Sequence, residues 1–329
     1  METAEDRLIA RFFRPLASHP GALSLADDAA VFAPPEGHEI VLTTDAVVAG
    51  VHVLAGETPD AIARKTLRVN LSDLAAKGAT PAAFLLSIAL PRETGEDWLA
   101  AFCSGLKDDA DAFGCSLIGG DTDRTEGPLT VTIFALGTLP RGTMVKRSGA
   151  QPDDHILVSG SVGDAALGLM LRRDASLAAR WSLAADERDH LLARYRLPQP
   201  RVALADTVRA HASAAIDVSD GFVGDLSKLL RVSGMSAEVT LESVPLSSGA
   251  RKALAADAVL RDAICGGGDD YEIVCTVPDS KLEAFNRGAA DAGIVVADVG
   301  RVRAGREPPR FLDATGTPLT FTRRSFSHF

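Results

Sequence analysis

Six aspartate-bearing turns constrain this chain more than any other feature. They read Leu25-Ala26-Asp27-Asp28-Ala29, Thr43-Thr44-Asp45, Asn70-Leu71-Ser72-Asp73, Gly119-Gly120-Asp121-Thr122, Asp217-Val218-Ser219-Asp220-Gly221 and Gly266-Gly267-Gly268-Asp269-Asp270-Tyr271-Glu272. Each follows an apolar run, where a strand or helix is predicted to end. One aspartate beside a glycine or serine is an ordinary turn or helix cap. Six gathered by a fold would repel one another unless cations lay between them. The cations that suit carboxylate oxygens are Mg²⁺, Mn²⁺ and Ca²⁺. Mg²⁺ keeps company with phosphates, so the pattern points to a metal-dependent nucleotide enzyme.

The chain's 329 residues predict about two domains. A composition of 46% hydrophobic and 24% charged residues supplies enough apolar material for two cores. The formal net charge of −10 argues against nucleic acid and anionic membrane as partners, since both are held mainly by Lys and Arg. A phosphorylated small molecule stays open, because bound metal inverts the local field. Cys103, Cys115, Cys265 and Cys275 form no C-x-x-C pair and read as buried thiols of a reducing compartment. Met1 to Arg14 has no apolar stretch of signal-peptide length, and no run approaches the length of a membrane helix. A cytoplasmic protein is expected.

Along the chain, helices are predicted at 4–13, 59–78 and 98–113, with strands at 39–44, 84–90, 116–118 and 129–137. On the second helix Thr66, Asn70, Asp73 and Lys77 share one polar face. Gly78 takes the position just past its end. Turn formers cluster between Pro140 and Asp154, and the domain boundary is placed there, giving domains 1–149 and 150–329. The second half mixes strands at 156–158, 215–218, 237–241, 271–277 and 294–302 with helices ending at 171 and at 186–195, 222–233, 249–256 and 279–292. The fold class is α/β (α+β).

Familiar nucleotide signatures are absent: there is no G-x-x-x-x-G-K-[ST] and no protein-kinase H-R-D or D-F-G set. Gly160-Ser161-Val162-Gly163-Asp164 reads either as a phosphate cradle at a helix start or as tight strand-to-helix packing. Thr43 and Asp45 share a strand face, and the Thr44 carbonyl is a further oxygen donor. Asp217 and Ser219 share a face in the same way. His52 lies one short loop past Asp45. Arg147, in Lys146-Arg147-Ser148-Gly149, is a candidate phosphate clamp at the domain junction.

Together these motifs resemble the thiamine-monophosphate kinase family, in the superfamily that includes aminoimidazole ribonucleotide synthetase and selenophosphate synthetase. The resemblance runs from about Leu8 to Phe329. It rests on Asp27-Asp28-Ala29-Ala30-Val31, Thr44-Asp45 with Gly50-Val51-His52, Val69-Asn70-Leu71-Ser72-Asp73 with Gly78-Ala79-Thr80-Pro81, Gly119-Gly120-Asp121-Thr122, Arg147-Ser148-Gly149-Ala150, Ile216-Asp217-Val218-Ser219-Asp220-Gly221 and the terminal His328-Phe329. It implies two α/β domains of the aminoimidazole ribonucleotide synthetase-like type, ATP in the cleft between them, and a homodimer paired through the N-terminal domains. It implies direct transfer of the γ-phosphoryl of ATP to thiamine monophosphate with several Mg²⁺ ions.

Asp28, Thr43, Thr44, Asp45, Asp73, Asp121, Asp217 and Asp220 match the family's metal positions. Gly120, Asp121, Arg147 and Ser219 match its ATP contacts, and His52, Asp269 and Phe326 its acceptor contacts. No catalytic residue is separable from the metal ligands. The chain departs from the family pattern at Ala26, usually Gly, at Lys77, commonly Met, and at Asp269, commonly the longer Glu. Another synthetase or kinase of the superfamily and a non-catalytic metal- or nucleotide-binding regulator are the competing readings. Selenophosphate synthetase is disfavoured by the lack of a Cys-Lys pair in the N-terminal arm.

Overall fold

The computed structural model describes residues 3–322 and 325–326, so the terminal His328-Phe329 motif lies outside the described residues. The chain forms two compact units. The first takes in the chain up to Leu74 together with Ala79–Thr143, and the second takes in Ala75–Gly78 with the chain from Met144 on.

The first unit begins with a short helix α1 (Ala4–Leu8), which widens into one π-helical turn over Ile9–Phe13. Then follow β1 (His38–Val48), α2 (Pro59–Ala76), β2 (Thr80–Pro91), α3 (Glu96–Phe113), β3 (Ser116–Thr125) and β4 (Thr130–Pro140). The strands form one sheet in the order β1-β4-β2-β3, with only the β2–β3 pair parallel. That pair is joined through α3, as a parallel crossover requires.

Strand alternation divides the sheet. Val41, Val47, Ile133, Ala135, Phe84 and Leu86 point to one face and are buried. Hydrogen bonds from β1 to α2 lie on this face. The other face carries Leu42, 70% exposed, with Ile40 and Phe134 also exposed. Helices α2 and α3 are clamped by Asp109, which accepts from both Arg64 and Arg68. They approach so closely that a Cβ on Gly105 would lie 2.6 Å from the Asp60 backbone. Helix α2 ends as its sequence predicts. Gly78, at φ +73°, closes a Schellman motif in which its N–H reaches the Ala75 carbonyl and the Ala79 N–H reaches that of Leu74.

The second unit contains β5 (His155–Ser159), α4 (Asp164–Arg173), α5 (Leu177–Arg180), α6 (Ala185–Arg196), α7 (Ala205–His211), β6 (Ala214–Asp217), α8 (Phe222–Ser233), β7 (Met235–Thr240), α9 (Ser248–Ala256), α10 (Leu260–Gly266), β8 (Ile273–Val277), α11 (Asp279–Asp291), β9 (Val296–Ala304), β10 (Arg310–Leu312) and β11 (Pro318–Leu319). The sheet order is β11-β10-β7-β9-β5-β8-β6. Its central strands are apolar on both sides, because both faces are covered. Ile156, Val158, Val274 and Ile216 join a core with Phe222, Leu226, Leu191 and Ile264. The intervening Leu157, Cys275 and Ala215 join a second core with Val208, Phe285 and Ala289. The mixed α/β class is as expected. Helices α7 and α10 and the short strands β10 and β11 have no counterpart in the sequence reading.

Candidate functional site

In the first unit the sheet sorts the acidic candidates by face. Thr43 and Asp45 lie on the α2 side. Thr43 Oγ1 donates to Asp73 Oδ2 at 2.5 Å, and the Asp45 N–H donates to Asn70 Oδ1 at 2.9 Å. Asn70 returns its amide to the Thr66 carbonyl at 3.0 Å. The polar face of α2 is therefore present, and at Thr66 and Asn70 it is sealed rather than solvated.

Thr44 alternates to the open face. Asp121 lies opposite Ser87, in a row that continues through Thr132 to Ala46, and so shares that face. Asp27, Asp28, Gly120 and Asp121 line one cavity of about 710 Å³ with Leu85 and Phe134. Sequence reading ended the strand at Ile118, whereas β3 runs through Gly120 to Thr125. A register shift leaves Ile118 unpaired just before the glycines, a bulge of the kind that re-aims side chains beside sites. Gly120 is obligatory, since a Cβ there would lie 1.8 Å from the Leu86 carbonyl oxygen.

The chain enters the Asp27-Asp28 pair through three left-handed residues, Leu23, Ser24 and Leu25, at φ +50°, +59° and +54°. Such non-glycine runs are costly and cluster at ligand clamps. Nothing in the sequence announces them. Ala26 itself has φ −111°, which any residue adopts, so the missing family glycine leaves the turn intact. His52 folds back on β1. Its Nδ1 accepts from the Val48 N–H at 3.0 Å, and its carbonyl accepts from Lys65 Nζ at 3.1 Å.

In the second unit the segments 217–221 and 266–272 run side by side. Val218 N–H donates to the Glu272 carbonyl at 2.7 Å, Tyr271 N–H to that of Val218 at 2.8 Å, and Asp269 N–H to that of Ser219 at 2.9 Å. The Phe326 N–H reaches the Asp220 carbonyl at 2.8 Å. Ser219, Asp220, Asp269 and Phe326 are thus brought together. Asp269 sits at φ +74°, a conformation that Asp tolerates better than most side chains, so its replacement of the usual Glu suits the backbone. Asp217 ends β6 and is buried, while Arg147 is exposed, with its carbonyl accepting from Ser233 Oγ. Lys77 donates to the Ala215 carbonyl at 2.6 Å.

Sequence reasoning missed Lys228 and Asp225. Lys228 Nζ bonds Asp220 Oδ2 at 2.5 Å and Asp225 Oδ1 at 2.8 Å, and Asp225 Oδ2 accepts the Asp220 N–H. Burial pushes the Asp225 carboxyl above its ordinary value, and Lys228 offsets this only in part. The glycine turn before α4 also resolves. Gly163 and Ala165 donate their N–H groups to Asp270, and Asp164 takes the Ser161 hydroxyl. A Cβ on Gly163 would strike Ile264. The turn is tight packing filled by the protein's own carboxylates, not a phosphate cradle.

Among the described residues, no three His, Cys, Asp or Glu side chains converge tightly enough to hold a metal by themselves. Mg²⁺ does not ask for that, being held through one or two carboxylates plus substrate phosphates and water. The donors, carboxylate and hydroxyl oxygens without thiolate or imidazole, fit that ion.

Two family models cover most of the chain: AIR synthase related protein, N-terminal domain, over residues 26–139, and AIR synthase related protein, C-terminal domain, over residues 151–311. The thiamine-monophosphate kinase of Caulobacter vibrioides is 45% identical over 301 residues, which cover 90% of this chain and 83% of that protein. The chain belongs to the thiamine-monophosphate kinase family. An Escherichia coli thiamine-monophosphate kinase is 37% identical over 100% of this chain and 99% of its own length. Among solved structures, the thiamine-monophosphate kinase of Stenotrophomonas maltophilia matches with a TM-score of 0.80 at 37% identity, covering 93% of this chain and 94% of that one. AaThiL complexed with AMPPCP and TMP matches at 0.76 and 27% identity, covering 90% and 89%. The two family domains and the α/β class agree with the expectation from the motifs.

Proposed function

We propose that this chain transfers the γ-phosphoryl group of ATP to thiamine monophosphate by one in-line displacement, giving thiamine diphosphate and ADP. The observation that carries the reading is full-length likeness to thiamine-monophosphate kinases, with the motif positions retained in the turns described above. AaThiL, a fold match, holds an ATP analogue and TMP together.

Phosphoryl transfer asks a protein for positioning and charge neutralisation rather than covalent chemistry. Gly120, Asp121, Arg147 and Ser219 are assigned to ATP. The exposed Arg147 guanidinium offers a planar fork to phosphate oxygens. Asp28, Thr43, Thr44, Asp45, Asp73, Asp121, Asp217 and Asp220 would hold Mg²⁺. When bound, the ions would neutralise the charge of two polyanions that must approach each other. For the acceptor, the Phe326 ring, 36% exposed, suits a flat cationic thiazolium. His52, fixed by its bond to the Val48 N–H, and Asp269 supply polar contacts. The reading includes a homodimer formed through the open sheet face of the first unit, where Leu42, Ile40 and Phe134 are exposed. It includes a cytoplasmic setting, in keeping with four buried free cysteines.

The test is ADP release with ATP, Mg²⁺ and a panel of phosphorylated acceptors. Thiamine monophosphate should accelerate ADP formation well above every other acceptor. A protein that binds ATP yet releases ADP no faster with thiamine monophosphate would be the regulator instead.

A further inference from the structure

Asp270 is assigned no contact with substrate, yet it is wholly buried and flanked by left-handed backbone on both sides. Asp269 and Tyr271, on either side, have φ of +74° and +52°. Both are non-glycine residues in the left-handed region, each at a cost on the order of 1 kcal/mol. This pair of inversions turns Asp270 inward and leaves Asp269 part-exposed.

Inside, the Asp270 carboxylate accepts the Gly163 N–H at 2.6 Å and the Ala165 N–H at 3.1 Å, both at the start of α4. The Asp270 carbonyl accepts Arg194 Nη2 at 2.6 Å. Glu272, also buried, accepts Ser159 Oγ at 2.6 Å, Arg194 Nη2 at 2.9 Å and Arg201 Nε at 2.6 Å. Outside, the same short segment carries the N–H of Asp269 that bonds the Ser219 carbonyl. The glycines ahead of it leave no slack: a Cβ on Gly268 would lie 2.4 Å from the Ser219 carbonyl oxygen.

We propose that Asp270 is a positioning residue: its bonds to the N-terminus of α4 hold the left-handed Asp269–Tyr271 turn, and so aim the Asp269 carboxylate at the phosphorylated acceptor. Burial raises the Asp270 carboxyl well above the usual carboxylate range. So costly a group is retained where two backbone donors must be met. The kinetic half of this inference rests on the function proposed above, whereas the conformational half does not.

The test uses the full-length protein. Asp270→Asn turns an amide toward one of the two N–H donors and should loosen the turn. Ligand-free hydrogen exchange at 267–271 should speed up at least about tenfold, the effect of losing roughly one buried hydrogen bond, while exchange in β5, β6 and β8 stays as it was. The KM for thiamine monophosphate should rise about tenfold by the same loss, with kcat changed far less. On an Asp269→Ala background, Asp270→Asn should add nothing further to that KM, because the group it aims is gone.

Additive effects in the double variant would overturn the proposal, as would faster exchange across the whole sheet or loss of a cooperative melt. In the unsubstituted protein the Gly163 and Ala165 amides should be strongly protected, and exchange at solvent-loop rates there would also sink it. If wild-type protein shows no ADP release dependent on thiamine monophosphate, the functional reading fails, and the exchange arm still decides the turn.

Discussion

Asp220 carries its counter-charge with it. Lys228 lies between Asp220 and the buried Asp225, and its ammonium pairs with both carboxylates. Lys228→Met would leave two carboxylates sharing one site, one of them already pushed toward its neutral form by burial. The variant should lose about 1–3 kcal/mol of stability in metal-free denaturant melts. If Asp220 is a Mg²⁺ position, saturating Mg²⁺ should restore more stability to Lys228→Met than to wild type, because the ion takes over from the ammonium. Equal gains in the two proteins would remove Asp220 from the metal set. The aspartate was legible in the sequence because a carboxylate beside Ser219 and Gly221 at a strand end is a strong local signal. Lys228 was not legible. It stands eight positions further on, inside an amphipathic helix, where a lysine reads as solvated surface. The inward turn of Asp270 was equally hidden, since left-handed Asp269 and Tyr271 leave no trace in composition or periodicity.

At the scale of elements, periodicity found those built on long apolar patterns, such as α2, α3, α8 and the central strands of the second unit. It missed α7 and α10, each of seven residues, which are too short for a repeat to show. It also stopped β3 at Ile118, because the glycines that follow read as a turn, when Gly120 is needed for close approach to Leu86 inside the sheet. Three helices of the second unit, α4, α6 and α9, meet at a buried carboxylate. Asp164, in the first turn of α4, accepts from His190 on α6, from Ser161, and from Ser247, the residue that caps α9. Burial pushes its carboxyl upward, but these donors outweigh burial and hold it below the ordinary value. A carboxylate with a lowered folded-state pKa stabilises fully above its unfolded pKa, and that contribution is lost as pH falls through the folded one. Asp164→Asn should therefore cost about 1–3 kcal/mol at neutral pH, and the gap to wild type should narrow as pH falls below the carboxylate range. Melts at pH 7 and pH 3 check this, and a gap that widened on acidification would reverse the sign.

At the scale of the whole molecule, the apolar face of the first unit's sheet is the feature that a single chain leaves unexplained. The face runs along β1, whose outer edge is unpaired within the sheet order and spans eleven residues. Long, exposed, apolar edge strands are aggregation hazards that proteins blunt with charge, bulges or a cover. Here Ile40 and Leu42 stand outward with Phe134 on the adjacent strand, and Leu42 is 70% exposed. Beside them opens the cavity lined by Phe134, Leu136, Leu85, Phe13 and Phe32. Exposed apolar patches of this kind mark protein interfaces as well as ligand grooves. A second copy presenting the same face meets it with like chemistry, as a two-fold contact demands. The same cavity holds Asp28, Gly120 and Asp121, so the proposed dimer contact and the proposed nucleotide site together predict that assembly and nucleotide binding are coupled. Leu42→Lys places a charge at the centre of the proposed contact without replacing any assigned site residue. Wild type should sediment as a dimer at micromolar concentration, and Leu42→Lys should shift toward monomer with its secondary structure unchanged. Nucleotide affinity should fall with the dimer fraction and recover as the variant is concentrated. If Leu42→Lys sediments as wild type does, the dimer contact lies elsewhere, and the open face needs another occupant.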